Sequence, residues 1–490
     1  MSAFPASAMG LPSALKYDLP PSMSDTARSY SVNVAPDGIT SVTGAVGNIS
    51  FTANAVTQSQ FSSQVVSFTI PSGMSESVFL DCMNTTVSFT LTYTVGTASS
   101  VANGTCRLLS NAASWFDTLV LYSNNTPLET VNQYGLLQNY LLQNTVNLSE
   151  RTGGVSICMG TDSNSAGGLD LPTAAAASYR FNFCIPLISL IGINTEKYFP
   201  IGSVNNMQLQ LTTANLCPIV TFCTAVTTNV TLSVAPTLSE FRLNMKYLDV
   251  GDVAASMLRQ TLQDGKWYIK SSSYTNSAVT IPSGSAGNQQ ALLQIRNSSV
   301  KSVFHQFGIA TGLVSPNGSY DAINIGTTSR QLQVGGNYYP NLPINDVQRP
   351  AEGYAVLIQS LGGSIPKAYG TTVSREMYNS IGGIAAVPTG ADNGLILPAV
   401  ANNRVERAAP AGSNQGGVSV LDYPSGAFYG YDLEKVGGVL FSGINTRASP
   451  PFLNLFLGSA LNANVTTQAW GLSDVVMVVD TGSKSVQAFI

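Results

Sequence analysis

Charge is what this sequence has least of. Of its 490 residues, 22 are Lys or Arg and 26 are Asp or Glu, so ions make up 10% of the chain, against about 25% in an ordinary soluble protein. Hydrophobic residues stand at 44%, so Ser, Thr, Asn, Gln and Gly have replaced the missing ions. Disorder is excluded, because it needs low hydrophobicity or high charge. Residues 198–239 carry no ion at all, but recurring Asn, Gln and Thr break any apolar run of the 18 or so residues that a membrane helix needs. The opening residues lack the basic start and apolar centre of a secretory signal, so none is expected. A cationic nucleic-acid footprint is also missing: residues 1–60 contain only Lys16 and Arg28 as cations, too few to neutralise a phosphate backbone. Low surface charge then reads in two ways, as a long-lived extracellular β protein or as a surface buried against copies of itself. The second is preferred, since the cores of interfaces are depleted in charge.

Catalytic constellations are equally scarce. The only histidine, His305, lies in the apolar stretch Val303-Phe-His-Gln-Phe307 and is expected to be a structural side chain satisfied by a neighbour. There is no Gly-x-Ser-x-Gly elbow and no phosphate-binding Gly-Lys-Ser/Thr loop. The six cysteines, Cys82, Cys106, Cys158, Cys184, Cys217 and Cys223, are too sparse for a disulfide scaffold and not spaced for zinc; most are expected free and buried. Asp117 and Glu129 are the carboxylates weighed as a glycosidase pair, and with 26 acids some will be close in any fold. Trp115, Trp267 and Trp470 sit in strand-like contexts and are expected in cores. Nine Asn-x-Ser/Thr sequons read as composition. No catalytic, cofactor or metal site is expected, and the protein is not expected to be an enzyme.

Period-two alternation is what the chain does have. Val87, Phe89, Leu91, Tyr93 and Val95 alternate with hydroxyl residues, and Phe241, Leu243, Met245 and Tyr247 alternate with Arg242, Asn244 and Lys246. Both patterns predict half-buried strands. Residues 475–479 lack alternation and predict a strand covered on both faces. Short helices are predicted over 131–143, 253–264 and 373–381. Asp252 and Gly265 bracket the second of these as a plausible cap and stop. Residues 1–45, with five prolines, read as an extended arm.

The two halves echo each other. Gly192-Ile-Asn-Thr195 recurs as Gly443-Ile-Asn-Thr446, each after an aromatic strand-like stretch (Phe181–Phe183, Phe428–Tyr431) and before an apolar one (Met207–Leu211, Phe452–Leu457). Ser114-Trp-Phe116 is matched with Ser302-Val-Phe304, and Tyr134–Leu142 with Gly353–Leu361. The order of these matches predicts a tandem duplication hinged at 253–265. The expected domains are an arm over 1–45, a first β domain over 46–252, a linker helix over 253–265 and a second β domain over 266–490.

In this order the segments resemble the double jelly-roll major capsid proteins of the adenovirus–tectivirus lineage, and look most like those of virophages and polinton-like viruses. Val66–Pro71 resembles the first barrel strand. Val78–Asp81 with Thr85–Val95 resembles an Asp-containing turn into a long strand. Ser114–Tyr122 with Asn124–Pro127 resembles the helix, strand and turn that follow, and Tyr134–Tyr140 the next helix. Phe183–Leu187, Tyr198–Ile201 and Met207–Leu211 look like closing strands, as do 474–480 and 486–490 in the second half. The opening lacks the aromatic and basic start of the large algal-virus capsid proteins, which sets it apart from that branch. The resemblance implies an all-β chain of two tandem eight-stranded antiparallel jelly-roll barrels with short connecting helices and long loops. It implies a major capsid protein, trimeric and pseudo-hexameric, tiling an icosahedral shell around a DNA genome. The implied partners are the protein itself, penton and minor or cement proteins, with no sequence-specific nucleic-acid binding. The implied location is the virion, after synthesis in the host cytoplasm. The alternative is a β-sandwich glycan-binding surface protein, marked by exposed aromatics gathered in a groove.

Overall fold

A computed structural model describes residues 27–43, 51–52, 55–56, 63–95, 104–108, 110–161, 169–171, 177–195, 198–215, 219–223, 232–260, 262, 264–309, 322, 325, 327–346, 348–362, 378, 427–435, 440–458, 460–461 and 464–490. Among them strands dominate. The first unit contains β1 (Arg28–Val34), β2 (Val65–Ile70), β3 (Val78–Val95), β4 (Phe116–Ser123), β5 (Thr126–Asn132), β6 (Ser178–Pro186), β7 (Met207–Thr213) and β8 (Leu232–Asp249). The second contains β9 (Lys266–Ile281), β10 (Gly287–Leu292), β11 (Val300–Ile309), β12 (Thr327–Val334), β13 (Asn337–Ile344), β14 (Phe428–Asp432), β15 (Phe452–Leu457) and β16 (Val465–Asp480), and β17 (Ser485–Phe489) then pairs with β16.

Their pairing repeats. One sheet of the first unit runs β1-β8-β3-β6 and the other β2-β7-β4-β5; in the second unit the orders are β9-β16-β11-β14 and β10-β15-β12-β13. In chain positions both units therefore read 1-8-3-6 and 2-7-4-5, all antiparallel, which is a jelly roll. Among the described strands no pair joins the two sheets of a unit, so each unit is seen as two facing sheets. The alternation read from the sequence supplies each core. Val87, Phe89 and Leu91 of β3 and Leu243 and Met245 of β8 bury against Phe68, Leu119, Leu121 and Leu209 of the facing sheet.

Local chemistry fixes the register. The β4–β5 turn is Asn124-Asn125, with φ of 49° and 61°, the left-handed pair of residues that a two-residue hairpin requires. The matching β12–β13 turn is Gly335-Gly336, with Gly335 at φ 60°. In both units a helix follows strand five: α1 (Tyr134–Thr145), then the short α2 (Leu148–Thr152) and α3 (Gly154–Met159), and in the second unit α5 (Pro350–Ser360). Between the units lies α4 (Asp252–Gln260).

The duplicated motifs fall mostly on equivalent elements. Gly192–Thr195 and Gly443–Thr446 both lie between strands six and seven, and each glycine sits where a side chain has no room. A Cβ on Gly192 would lie 1.9 Å from the Leu187 carbonyl oxygen, and one on Gly443 would lie 2.5 Å from that of Val300. The match of Ser114–Phe116 with Ser302–Phe304 fails: the first spans the Ala112–Trp115 turn of 3-10 helix into strand four, whereas the second lies in strand three. Val66–Pro71 is strand two and not the first strand. The first strand is β1, which lies inside the stretch expected as an arm and pairs with β8 from Arg28↔Asp249 to Val34↔Leu243. Tyr30 packs its ring 5.8 Å from that of Tyr247, so residues 28–34 belong to the sheet; residues 1–26 lie outside the described residues. The helix expected over 373–381 also lies outside them except at Tyr378.

Deleting residues 1–26 should leave the thermal unfolding midpoint unchanged. Deleting 1–43 should strip β1 from β8 and lower the midpoint of the first unit by several degrees in a calorimetric scan.

Candidate assembly surfaces

The two units meet along a seam that is built like a core. Helix α1 is buried on most sides: Tyr134, Leu136, Leu137, Gln138, Asn139 and Tyr140 are all inaccessible, as expected of a helix packed all round. The i, i+3, i+7 reading at 134, 137 and 141 found only one stripe of it. Two polar members bond within the first unit: Gln138 Nε2 donates to the Pro186 carbonyl at 3.0 Å, and the Ile188 amide donates to the Tyr134 hydroxyl at 3.0 Å. Burial pushes the Tyr134 phenol up to about 12.

Tyr140 reaches across. Its ring lies 5.0 Å from Phe428, 5.5 Å from Phe304 and 5.9 Å from Trp470, and its hydroxyl donates to the Tyr429 carbonyl oxygen at 2.9 Å. Phe304, Phe428 and Trp470 sit on the face of the β9-β16-β11-β14 sheet that points away from the second unit's own core, and join the core of the first. That sheet is therefore covered on both faces around Trp470. Farther along β16, Val475, Met477 and Val479 are buried while Val476 and Val478 stay half-buried, so the expectation for 475–479 holds on one face only.

Glu129 of β5 is a carboxylate buried in the seam. It is 2% exposed and accepts hydrogen bonds from the Ser189 hydroxyl at 2.6 Å, the Leu190 amide at 2.8 Å and, from β9 of the second unit, the Ser273 hydroxyl at 2.6 Å. Burial pushes its carboxyl above the usual range, and the three donors oppose that shift. Beside it the Thr195 and Ser271 hydroxyls are 2.6 Å apart, so the repeated Gly-Ile-Asn-Thr motif has been put to use across the seam in the first unit.

Glu129 and Asp117 do not form an acid pair. Leu121 is the cross-strand partner of Glu129, and Asp117 lies four residues along β4, about 13 Å at strand rise, beyond either glycosidase spacing. His305 is buried, as expected, but neither ring nitrogen has a hydrogen-bond partner; its neighbours are aromatic rings rather than a satisfying acceptor. Trp115 and Trp470 are fully buried and Trp267 half-buried. Of the cysteines whose side chains are described, Cys82 is buried, Cys184 intermediate and Cys158 exposed, all free; burial was expected for most and holds for Cys82 alone of these three, with Cys158 on the short α3. Among the described residues no cluster of three or more His, Cys, Asp or Glu could hold a metal, and no helix is long and apolar enough to cross a membrane.

Outward faces of the sheets explain the composition. The four strands β2, β7, β4 and β5 contain two charged residues, Asp117 and the buried Glu129. Strands β10, β15, β12 and β13 contain one, Arg330, which is buried. Amides cover the second of these faces: Gln290 donates to Asn454 and Asn454 to Gln333, each at 3.0 Å. Tyr338 and Phe456, each 43% exposed, flank a shallow depression there. Among the described residues β13 is the last strand of its sheet, and its Leu342 is 77% exposed. Its counterpart β5 has Leu128, Glu129 and Val131 buried, and Glu129 lies in the seam with the second unit.

No protein-family model and no curated protein sequence matches the chain. Solved structures do. The PBCV-1 virus capsid matches with a TM-score of 0.51 over 92% of this chain and 94% of that one, at 12% identity. The Sputnik virophage structure matches with a TM-score of 0.52 over 95% and 88%, at 11% identity. The mavirus major capsid protein matches with a TM-score of 0.51 over 94% and 90%, at 12% identity. The chain has the double jelly-roll fold of viral major capsid proteins. The coverage takes in both jelly rolls, and at these identities the likeness is one of fold.

Glu129→Ala strands three buried donors and should lower stability by at least about 2 kcal/mol. Tyr140→Phe removes one hydroxyl from a retained ring and should cost about 1 kcal/mol. Guanidinium unfolding of the two variants beside the parent chain measures both.

Proposed function

We propose that this chain is a major capsid protein that acts by self-association. Three copies form a ring of six jelly rolls, and the rings tile an icosahedral shell around a DNA genome. One observation carries the reading: the chain holds two units of the same topology joined head to tail, and among the described residues the second unit leaves open the edge that the first unit buries. β5 and α1 press onto the next jelly roll, whereas β13 faces solvent with Leu342. A heterologous contact of this kind repeats until it closes, and three chains supply six units. The nearly ion-free outward faces suit burial between neighbours, and the likeness to capsid proteins of similar length supports the role. The subunit contact belongs to the obligate class above about 2,000 Å². Residues 1–26 reach an adjacent capsomer or a minor capsid protein, penton and cement proteins complete the shell, and the protein resides in the virion. The role includes no catalytic step.

A second reading, a glycan-binding surface protein, draws on Tyr338 and Phe456 beside the amide ladder, since aromatic faces and amides are what a neutral sugar contacts. A glycan array with no binding by the purified protein removes it.

Native mass spectrometry should give three times the 51.4 kDa chain mass; a stable monomer at micromolar concentration would overturn the capsid reading. Leu342→Asp should yield folded monomers with an unchanged circular dichroism spectrum. Removing residues 1–26 should leave trimers intact and impair shell assembly seen by electron microscopy.

A further inference from the structure

The second jelly roll carries a buried polar layer where the matching described strand positions of the first are apolar. Arg330 of β12 is 0% exposed and forms a two-pronged ion pair with Asp346, Nε to Oδ2 at 2.9 Å and Nη2 to Oδ1 at 3.0 Å. Its Nη1 donates to the Tyr431 hydroxyl at 2.8 Å, and its guanidinium lies 4.2 Å from the Tyr429 ring centre. His305 of β11 is stacked 4.9 Å from Tyr429 and 5.6 Å from Tyr431, with Phe307 at 5.1 Å. Counted from the two-residue turns, Arg330 corresponds to Leu119 of β4, which is fully buried and apolar. Strands three and six of the first unit likewise meet through Phe89 and Phe183, rings 5.7 Å apart.

This layer is balanced for one charge state. Asp346 is matched by Arg330, so no carboxylate is left for a second cation. Among the described residues, the groups facing His305 come from three strands. β14 presents Tyr429 and Tyr431, β12 presents Arg330, and β16 presents Thr467 and Ala469, the latter directly opposite. Tyr378 packs its ring 6.5 Å from Tyr429. None offers the imidazole a hydrogen bond. A proton arriving on His305 would create a buried cation with no partner, beside a guanidinium.

We propose that the His305–Arg330–Asp346 layer makes the second jelly roll acid-labile, so that acidification opens the β11–β14 edge and the overlying α5 while the first jelly roll holds. Burial, and then Arg330, hold the imidazole well below its ordinary value, which agrees with the geometry. The unfolded imidazole takes up its proton near pH 6.5. The folded state is therefore fully favoured above that pH. It loses about tenfold in the opening equilibrium for each pH unit below, until the folded imidazole itself titrates.

The test is hydrogen–deuterium exchange with mass spectrometry at pH 7.5 and 5.5, corrected for intrinsic rates. Peptides from β11, β12, β14 and α5 should gain exchange at pH 5.5, and peptides from β3, β4 and β6 should not. His305→Phe, which copies the first unit, should remove the gain, and His305→Gln serves if the Phe variant does not fold. The chain has one histidine, so selective isotope labelling gives one imidazole signal. That signal should stay neutral in the native state at pH 5.5. Equal exchange at both pH values, a gain that survives His305→Phe or His305→Gln, or an imidazole titrating near 6.5 in an intact fold would each overturn the proposal.

Discussion

Helix α1 has no solvent face to spare, and that constraint organises the molecule. A helix buried on most sides needs a second body to cover it, because the first jelly roll covers only one of its flanks. The second jelly roll supplies that body through the outer face of its β9-β16-β11-β14 sheet. Tyr140 joins the two by packing among three aromatic rings and by capping a carbonyl of the edge strand β14. Glu129 adds a condition of geometry: its three donors come from both units, so the carboxylate is satisfied only when the units are docked. A buried carboxylate with its donors missing is costly, which makes the relative placement of the units specific and not merely sticky.

Charge follows from the same arrangement. Ions are kept off the outward faces of both 2-7-4-5 sheets, and several of those present are drawn inside. Arg330 with Asp346, Glu129 and Asp474 are all buried, the last accepting from the Ser299 hydroxyl and the Phe441 amide, each at 2.9 Å. A few side chains that look polar in composition thus contribute nothing to surface charge. The outward faces instead carry amides and hydroxyls that bond to one another along the sheet, as in the Gln290–Asn454–Gln333 ladder. Such faces stay soluble without ions and lose little when a like face covers them.

Much of the architecture was legible in the residues. The alternation at 87–93 and 241–247 identified two central strands and their buried faces. The Gly-Ile-Asn-Thr repeat located the same loop in both units, where a glycine is required by a carbonyl too close for any Cβ. β1 was missed although Tyr30, Val32 and Val34 alternate, because the prolines around it suggested an arm. The Ser-x-Phe match misled for a different reason: three letters can fall on strand three or strand four with equal ease, and only pairing separates them. At the seam, the periodicity of α1 exposed one stripe and hid Gln138, Asn139 and Tyr140, whose partners Pro186, Ser110 and Tyr429 lie far off in the chain. His305 was read correctly as buried and wrongly as satisfied, since no neighbour in sequence reveals which side chains close over a ring.

Taken alone, the sequence determined that this is a mostly β, twice-repeated chain with few ions. Hydrophobic period, turn residues and composition are local properties, and each segment states its own. Only the tertiary structure decided that strand one lies at 28–34, that Glu129 serves the seam rather than a reaction, and that Arg330 meets His305 in a closed layer. Those facts depend on strands brought together from distant parts of the chain, where cross-strand register and the packing of one unit on the other set the outcome.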